Sequence, residues 1–447
     1  MGYKVCVVGS GYVGLVTAAC FASRGMEVTC VDIDKQRVEK IRRGEPPIHE
    51  PGLEEILAKV TSDGMLRATE EYAEGMDGAD FSFVCVGTPP KPDGSIDLSY
   101  VASAAEAIGR NLHLASKNHT VVVKSTVVPG TTSGVIAPIL ESSSGMKAGQ
   151  GFSLAFNPEF LREGSAVEDT FNPDRIIIGE HDEGSGQRLL DLYREFYGNR
   201  LPPFMVTNTV NAELIKYANN AFLAMKVSFI NEIANICQRI PGADVEVVAK
   251  GIGLDKRIGP LFLRAGLGYA GPCLPKDLSA LVNHARSLGY DSLLLRAVQL
   301  TNENQPYQAV LLAKSLLKTL RGKRVALLGL AFKPNTDDVR GAVSLRLVGM
   351  LLREGAEVVV FDPKGLENAR KLLGTEVLYA GSAEECIKGA DCCIVVTEWD
   401  EFRKLRPEDF LRLMRTPAVV DGRRIYDPKE FGGKLMYAAI GYCPLSR

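Results

Sequence analysis

The stretch YKVCVVGSGYVGLVTAACFASRGMEVTCVDID, Tyr3 to Asp34, decides the fold. It opens on an apolar run, turns through glycines, passes along a helix with small residues on one side, and closes on a second apolar run ending at Asp32. A continuous apolar run suits a strand buried on both faces, so the pattern predicts a βαβ unit. Gly9, Gly11 and Gly14 make GxGxxG at the strand-to-helix turn. Alone that motif is weak; after a strand, before a helix and with an acid about 20 residues on, it specifies a dinucleotide turn. Glycine there permits the tight turn, lets backbone N–H groups approach a pyrophosphate and seats the helix closely. Asp32 is placed to bond ribose hydroxyls and to repel a 2′-phosphate, which predicts NAD, while Arg37 nearby keeps NADP open.

Working outward, strand-like runs near 80–86 and 120–123, then GFSLAFNPEFL and DRIIIGEH, extend the unit into a doubly wound sheet. VCVGTPP (84–90) and VKSTVVPGTT (123–132) each place a threonine where a strand ends. The carboxyl ends of parallel strands face the ligand crevice, so Thr88 and Thr126 are candidate cofactor contacts, with ordinary turn roles as the alternative. From Asn208 to Ile240 there is neither Gly nor Pro, which predicts one helix of about 30 residues. Further helix is expected, with breaks, from Pro275 to about Leu320, and at Arg321 the strand–turn–helix pattern restarts with GKRVALLGLAF, a helix over 343–355 and a strand ending at Asp362, with later strands in DCCIVVTEW and TPAVVDGRR. The expected fold class is therefore α/β: two Rossmann-like doubly wound domains flanking a helical central domain with one long connecting helix. The boundaries fall at 1–205, 206–320 and 321–447.

Composition excludes little but does so cleanly. With 447 residues, 46% apolar and 24% charged, and a formal net charge of -2, the chain has no global basic field to collect nucleic acid or anionic lipid. No apolar run reaches the length of a membrane span, and MGYKVC has Cys6 where a myristoylation signal wants Ser or Thr. The ten cysteines form no CxxC pair and several sit in strand-like runs, which points to reduced thiols in a cytoplasmic setting. Five histidines without ligand spacing predict no metal.

Three groups of residues carry chemistry. On the long helix Lys216 and Asn220 are four apart beside Glu213, and together suit an oxyanion or, equally in type, a solvated face. NPEFLREG (157–164) sets Glu159 and Glu163 beside a strand end, one able to activate water and the other to meet cofactor; ion pairing with Arg162 is the plainer alternative. In LRAGLGYAGPCLPKDL, Pro275 suits a first helical turn, which puts Cys273 just before a helix N-terminus, where the dipole favours thiolate. Lys276 adds positive charge there and Asp277 a group to orient water or a lysine.

In order along the chain, GSGYVGL, VCVGTPP, KSTVVPGT, NPEFLREGSAVEDTFNPDRIIIG, AELIKYANNAFLAMKVSFINEIA, RIGPLFLRAGLGYAGPCLPKD and GLAFKPNTDDVR resemble the nucleotide-sugar dehydrogenases that oxidise a sugar alcohol to a carboxylate. The resemblance covers almost the whole chain. It implies a double oxidation: one NAD takes a hydride, Cys273 captures the aldehyde, a second NAD takes another hydride, and water cleaves the thioester. It gives Lys216 and Asn220 the stabilisation of oxygen charge, Asp277 the partnering of Lys216 or water, and Glu159 a share in hydrolysis. Thr126 and Glu163 fall near the nicotinamide, with Lys276 also on the cofactor side, and Arg340 bridging toward cofactor. The sugar nucleotide, UDP-glucose by expectation and GDP-mannose or another UDP-sugar as alternatives, would meet Glu159, Phe160, Leu161, Arg162, Glu163, Lys216, Asn220, Phe262, Leu263, Arg264, Ala265, Gly266, Ala270 and Lys333, with Arg257 reaching from a neighbouring subunit. A homodimer through the long helix is implied as well. The first proton acceptor stays open between Lys216 and a water held by Asp277.

Two departures stand out. Ala270 and Pro272 replace the glycine and serine that commonly precede the cysteine, and Pro272 removes a backbone N–H from the loop. GLAF lacks a full GxGxxG, which fits a third domain that holds the UDP side and not a second NAD. A redox sensor reading NAD through Cys273 is the rival from another class; it leaves Lys216, Asn220, Glu159 and the third domain without work.

Overall fold

The computed structural model describes residues 2–445. The chain divides into two compact units, Met1–Asn219 and Asn220–Arg447. The division falls inside the long helix, Thr209–Cys237.

The first unit is built on an eight-stranded sheet. Its strands are β1 (Lys4–Val8), β2 (Glu27–Val31), β3 (Leu66–Thr69), β4 (Phe81–Val84), β5 (Thr120–Val123), β6 (Ser153–Phe156), β7 (Ile176–Glu180) and β8 (Phe204–Asn208). Their spatial order, β3-β2-β1-β4-β5-β6-β7-β8, reverses beside β1, the doubly wound arrangement that opens a ligand crevice at the carboxyl ends of β1 and β4. Pairing is parallel throughout except between β6 and β7. Consecutive residues Val5 to Val8, Phe81 to Val84 and Thr120 to Val123 are all buried, so these strands are covered on both faces and their runs show no alternation. The helix Tyr12–Ser23 is buried along Gly14 to Ala22, so the small residues expected on one side serve the whole circumference. It packs on the helices Leu53–Ser62 and Ala166–Phe171 as well as on the sheet.

The second unit begins with the rest of the long helix and continues through helices Val245–Gly253, Leu274–Ser287 and Leu293–Leu317. It ends in a six-stranded parallel sheet of β9 (Arg324–Leu328), β10 (Glu357–Phe361), β11 (Leu378–Tyr379), β12 (Cys392–Val395), β13 (Ala418–Asp421) and β14 (Met436–Ala439), in the order β11-β10-β9-β12-β13-β14. Strands β3, β8, β11 and β14 are additions to the sequence reading; each lies toward a sheet edge, where burial is incomplete and the apolar run is short or polar. Among the described residues no helix is long and apolar enough to cross a membrane.

Candidate active site

The dinucleotide turn is shaped by contact distances. Gly9 has φ +94, and a Cβ on Gly14 would stand 1.8 Å from the Gly9 carbonyl oxygen. No side chain larger than hydrogen is compatible with that helix-to-turn approach. Gly11 is the N-cap of the helix, without a side-chain cap among the described residues, and a Cβ built there meets nothing within 4 Å. The turn thus offers open space at a helix N-terminus, which fits a pyrophosphate. Asp32 accepts from the backbone N–H and the hydroxyl of Ser10, both at 2.6 Å, so the acid that follows β2 also braces the turn. Thr88 is buried and donates to the Thr126 carbonyl at 2.9 Å, joining the loops after β4 and β5. Arg37 pairs with Asp34 at 3.4 Å.

Past β6 the chain enters NPEFLREG. Lys216 donates from Nζ to the Glu159 carbonyl at 2.6 Å and to Oε1 at 3.0 Å, and the second carboxylate oxygen accepts from the Leu161 N–H at 2.6 Å. Only 5% of the lysine side chain and 10% of the glutamate side chain are exposed. Burial pushes the Glu159 carboxyl up, but the charge and hydrogen bond of Lys216, the Leu161 N–H and Lys124 together hold it below the ordinary value. The Phe160 ring meets two cations, with the Arg175 guanidinium 3.8 Å and Lys216 Nζ 5.3 Å from its centroid. Arg162 turns instead to Asp169, bonding it through the guanidinium and the backbone, so it pairs with neither glutamate of its motif. Glu163 is half-buried, and the loop that carries it is held by the buried Glu50, which accepts from Gly164 and Ala166 N–H at 2.7 Å each.

Two further buried groups escaped the sequence reading as site residues. Lys124 closes β5 and donates to Asn157 Oδ1 at 2.7 Å; burial drives its ammonium below the usual range. A lysine ending an apolar strand at the crevice was a signal available in VVVKST. Glu213, fully buried, accepts from Gly130 N–H at 2.6 Å and Thr132 N–H at 2.8 Å. It ties the loop that carries Thr126 to the helix turn that carries Lys216. Burial pushes the Glu213 carboxyl up, against the bonds it receives from Thr132 and Gly130.

In the second unit, Asn220 donates to Asp277 Oδ2 at 2.6 Å and Lys276 to Asp277 Oδ1 at 2.7 Å. Asp277 is buried, and its N–H bonds the Cys273 carbonyl at 2.9 Å. Cys273 is the N-cap of the helix Leu274–Ser287, with Pro275 in its first turn, and its thiol is exposed. Of the preceding stretch, Leu263, Ala265 and Gly266 are buried, Ala270 is half-buried, and Phe262 is exposed with φ 63. Arg264 bonds the Arg423 carbonyl at 3.3 Å. At the Pro272 departure, Gly271 takes φ +86 and a Cβ there would meet the Phe332 ring at 2.8 Å, while Lys333 stands 5.4 Å over that ring. Arg340 is clamped on Asp338 and Arg257 on Asp255, and both arginines are exposed.

Comparison with known proteins agrees along the whole chain. Residues 3–197, 210–304 and 326–428 match the NAD binding, central and UDP binding domains of the UDP-glucose/GDP-mannose dehydrogenase family. The chain is 45% identical over 430 residues to the UDP-glucose 6-dehydrogenase AglM of Haloferax volcanii, covering 96% of this chain and 98% of that one. It is 44% identical over 441 residues to the UDP-glucose 6-dehydrogenase YwqF of Bacillus subtilis, covering 98% and 97%. A solved UDP-glucose dehydrogenase from Pyrobaculum islandicum superposes with a TM-score of 0.91 at 43% identity, over 99% of this chain and 98% of that one. A nucleotide turn, a buried lysine–glutamate pair and an N-cap thiol beside a buried Asn–Asp pair thus sit in a chain that belongs to the UDP-glucose/GDP-mannose dehydrogenase family.

Proposed function

We propose that the chain oxidises UDP-glucose to UDP-glucuronate by two hydride transfers, with overall consumption of one water and release of three protons. The single observation that carries this reading is Cys273, an exposed thiol at a helix N-cap whose first turn is held by the buried Asn220–Asp277 bond. NAD, held by the turn Gly9–Gly14 and by Asp32, supplies the hydride acceptor at both stages. Cys273 adds through sulfur to the aldehyde and keeps it as a thiohemiacetal, from which a second hydride can leave. Lys216 and Asn220 stabilise the negative oxygen by hydrogen bonding, and Asp277 and Glu159 hold those donors in place and orient water for hydrolysis. Thr126 and Glu163 border the reacting end of the cofactor. Leu263, Ala265, Gly266 and Lys333, with Arg257 reaching from a neighbouring subunit, contact the sugar nucleotide, and Arg340 bridges toward cofactor.

In functional terms 1–205 binds NAD, 206–320 carries the thiol and 321–447 holds UDP. The protein works as a homodimer through the long helix. Phe222, Phe229 and Ile236 support this: they recur every seven residues along that helix and are 56%, 50% and 48% exposed. Ten free cysteines, most of them buried, support a reducing cytoplasmic setting. The reading is tested by incubating the protein with NAD and UDP-glucose, GDP-mannose or a UDP-N-acetylhexosamine in turn. NADH formation with UDP-glucose at the highest kcat/KM is expected, and preference for either rival sugar overturns the substrate assignment.

A further inference from the structure

The stretch Leu263 to Cys273 has neither helix nor strand of its own, yet much of it is buried. Buried backbone groups need partners, and here side-chain amides supply them. The Gly266 N–H donates to Asn231 Oδ1 at 2.8 Å, and its carbonyl accepts from Gln305 Nε2 at 2.8 Å. The Tyr269 N–H donates to Asn302 Oδ1 at 2.8 Å, and its carbonyl accepts from Asn302 Nδ2 at 3.0 Å. Both polar groups of both residues are therefore taken by amides, as a neighbouring strand would take them. A brace stands behind the clamp: Asn235 donates to Gln305 Oε1 at 2.9 Å, which fixes the way that amide faces.

The placement is specific to this loop. Asn231 and Asn235 lie one turn apart on the long helix, and Asn302 and Gln305 lie three apart on the helix Leu293–Leu317, next to its internal Pro306. Between the clamped residues Gly268 takes φ +100, and a Cβ there would stand 2.5 Å from Asn302 Oδ1, so the amide fits only against glycine. Tyr269 precedes Cys273 by four residues, and immediately after the cysteine the helix begins. The thiol thus sits on a short span fixed at both ends.

We propose that Asn231, Asn302 and Gln305 are positioning residues for aldehyde capture: by fixing Gly266 and Tyr269 they set the reach of Cys273, and so decide whether the aldehyde is bound or lost. The inference rests on the reading of Cys273 as nucleophile. In the capture step a carbon–sulfur bond forms, the carbonyl π bond breaks, and the thiol proton ends on oxygen, with no change in oxidation state. Loss of a hydride to NAD and of that hydroxyl proton gives the thioester. Water then breaks the carbon–sulfur bond and restores the thiol.

The test measures NADH formed per UDP-glucose consumed, with semicarbazide present to trap free aldehyde, for wild type, Asn302→Leu, Gln305→Met and Cys273→Ser. Wild type is expected to give two NADH and no semicarbazone. For Asn302→Leu and Gln305→Met the ratio falls toward one, semicarbazone appears and the second oxidation slows by about 10²-fold, the scale of an ångström-sized misplacement, while the NAD dissociation constant stays within about two-fold. Gln305→Met keeps the side-chain volume, removes the bonds to Gly266 and from Asn235 and leaves both bonds of Asn302 to Tyr269 in place, so it is read where Asn302→Leu does not fold. Folded variants that lose rate but keep two NADH and yield no semicarbazone show a merely structural role and overturn the proposal, as does wild-type rate. Two NADH from Cys273→Ser would instead overturn the nucleophile reading, an outcome separate from the first.

Discussion

Lys216 and Glu159 form a buried ion pair, Nζ to Oε1 3.0 Å, in which the lysine also donates to the glutamate's own carbonyl. The pair locks the turn after β6 to the long helix. Removing one partner leaves a buried charge uncompensated, so Glu159→Gln is expected to cost about 3–5 kcal/mol, and the double variant Glu159→Gln with Lys216→Met less than the sum of the two single changes. Urea unfolding of the four proteins checks this, and additivity would contradict it.

The same pair sets a pH dependence. Burial raises the Glu159 carboxyl, and Lys216, the Leu161 N–H and Lys124 more than offset it, so the folded value lies below the ordinary 4.5. A depressed carboxyl contributes stability that is full above 4.5 and is lost as pH falls through the folded value. Wild type should therefore lose its advantage over Glu159→Gln as pH drops below that range, read from urea midpoints at each pH. An advantage that does not change with pH would contradict the assignment.

Asp32 braces Ser10, and the reading as an NAD site gives it the ribose hydroxyls. Asp32→Ser is expected to lower kcat/KM with NAD by about 10–100-fold, the worth of hydrogen bonds to a charged group, and to raise the relative use of NADP. Unchanged discrimination between the two cofactors would remove Asp32 from the binding role.

How much of this was legible in the sequence depends on where the causes lie. The βαβ turn was legible because its glycines answer to local distances, such as the 1.8 Å approach at Gly14. The start of the helix at Leu274 was legible because Pro275 fixes a first turn. The partners of Glu159 were not, since Lys216 is 57 residues away and Arg162, the near candidate, is drawn to Asp169. Glu213 read only as a neighbour of Lys216, because its partners are backbone N–H groups at Gly130 and Thr132, which no side-chain pattern marks. The hold on the loop before Cys273 was not legible, since the amides that fix it come from Asn231, Asn302 and Gln305, more than 30 residues from the groups they bond and on two other helices.

Glu213 gives a prediction of its own. A carboxylate accepts from both Gly130 and Thr132, whereas Glu213→Gln turns an N–H toward one of them and leaves a buried donor unmatched, a cost of about 1–3 kcal/mol. Because the loop carries Thr126, the KM for NAD should rise several-fold and the KM for the sugar nucleotide should hold. Equal rises in both would point to general destabilisation.

On the exposed heptad stripe, Phe222→Glu places a charge where a second long helix is expected to pack. Sedimentation velocity should show wild type as a dimer and Phe222→Glu as a monomer. A monomeric wild type would refute the dimer, and a dimeric variant would move the interface elsewhere.

The central claim is that one chain carries UDP-glucose through both oxidations without releasing the aldehyde. It is tested most directly by the NADH formed for each UDP-glucose consumed by the wild-type protein with NAD in excess. Two NADH with UDP-glucuronate as the product is the result expected; one NADH with free UDP-sugar aldehyde would contradict it.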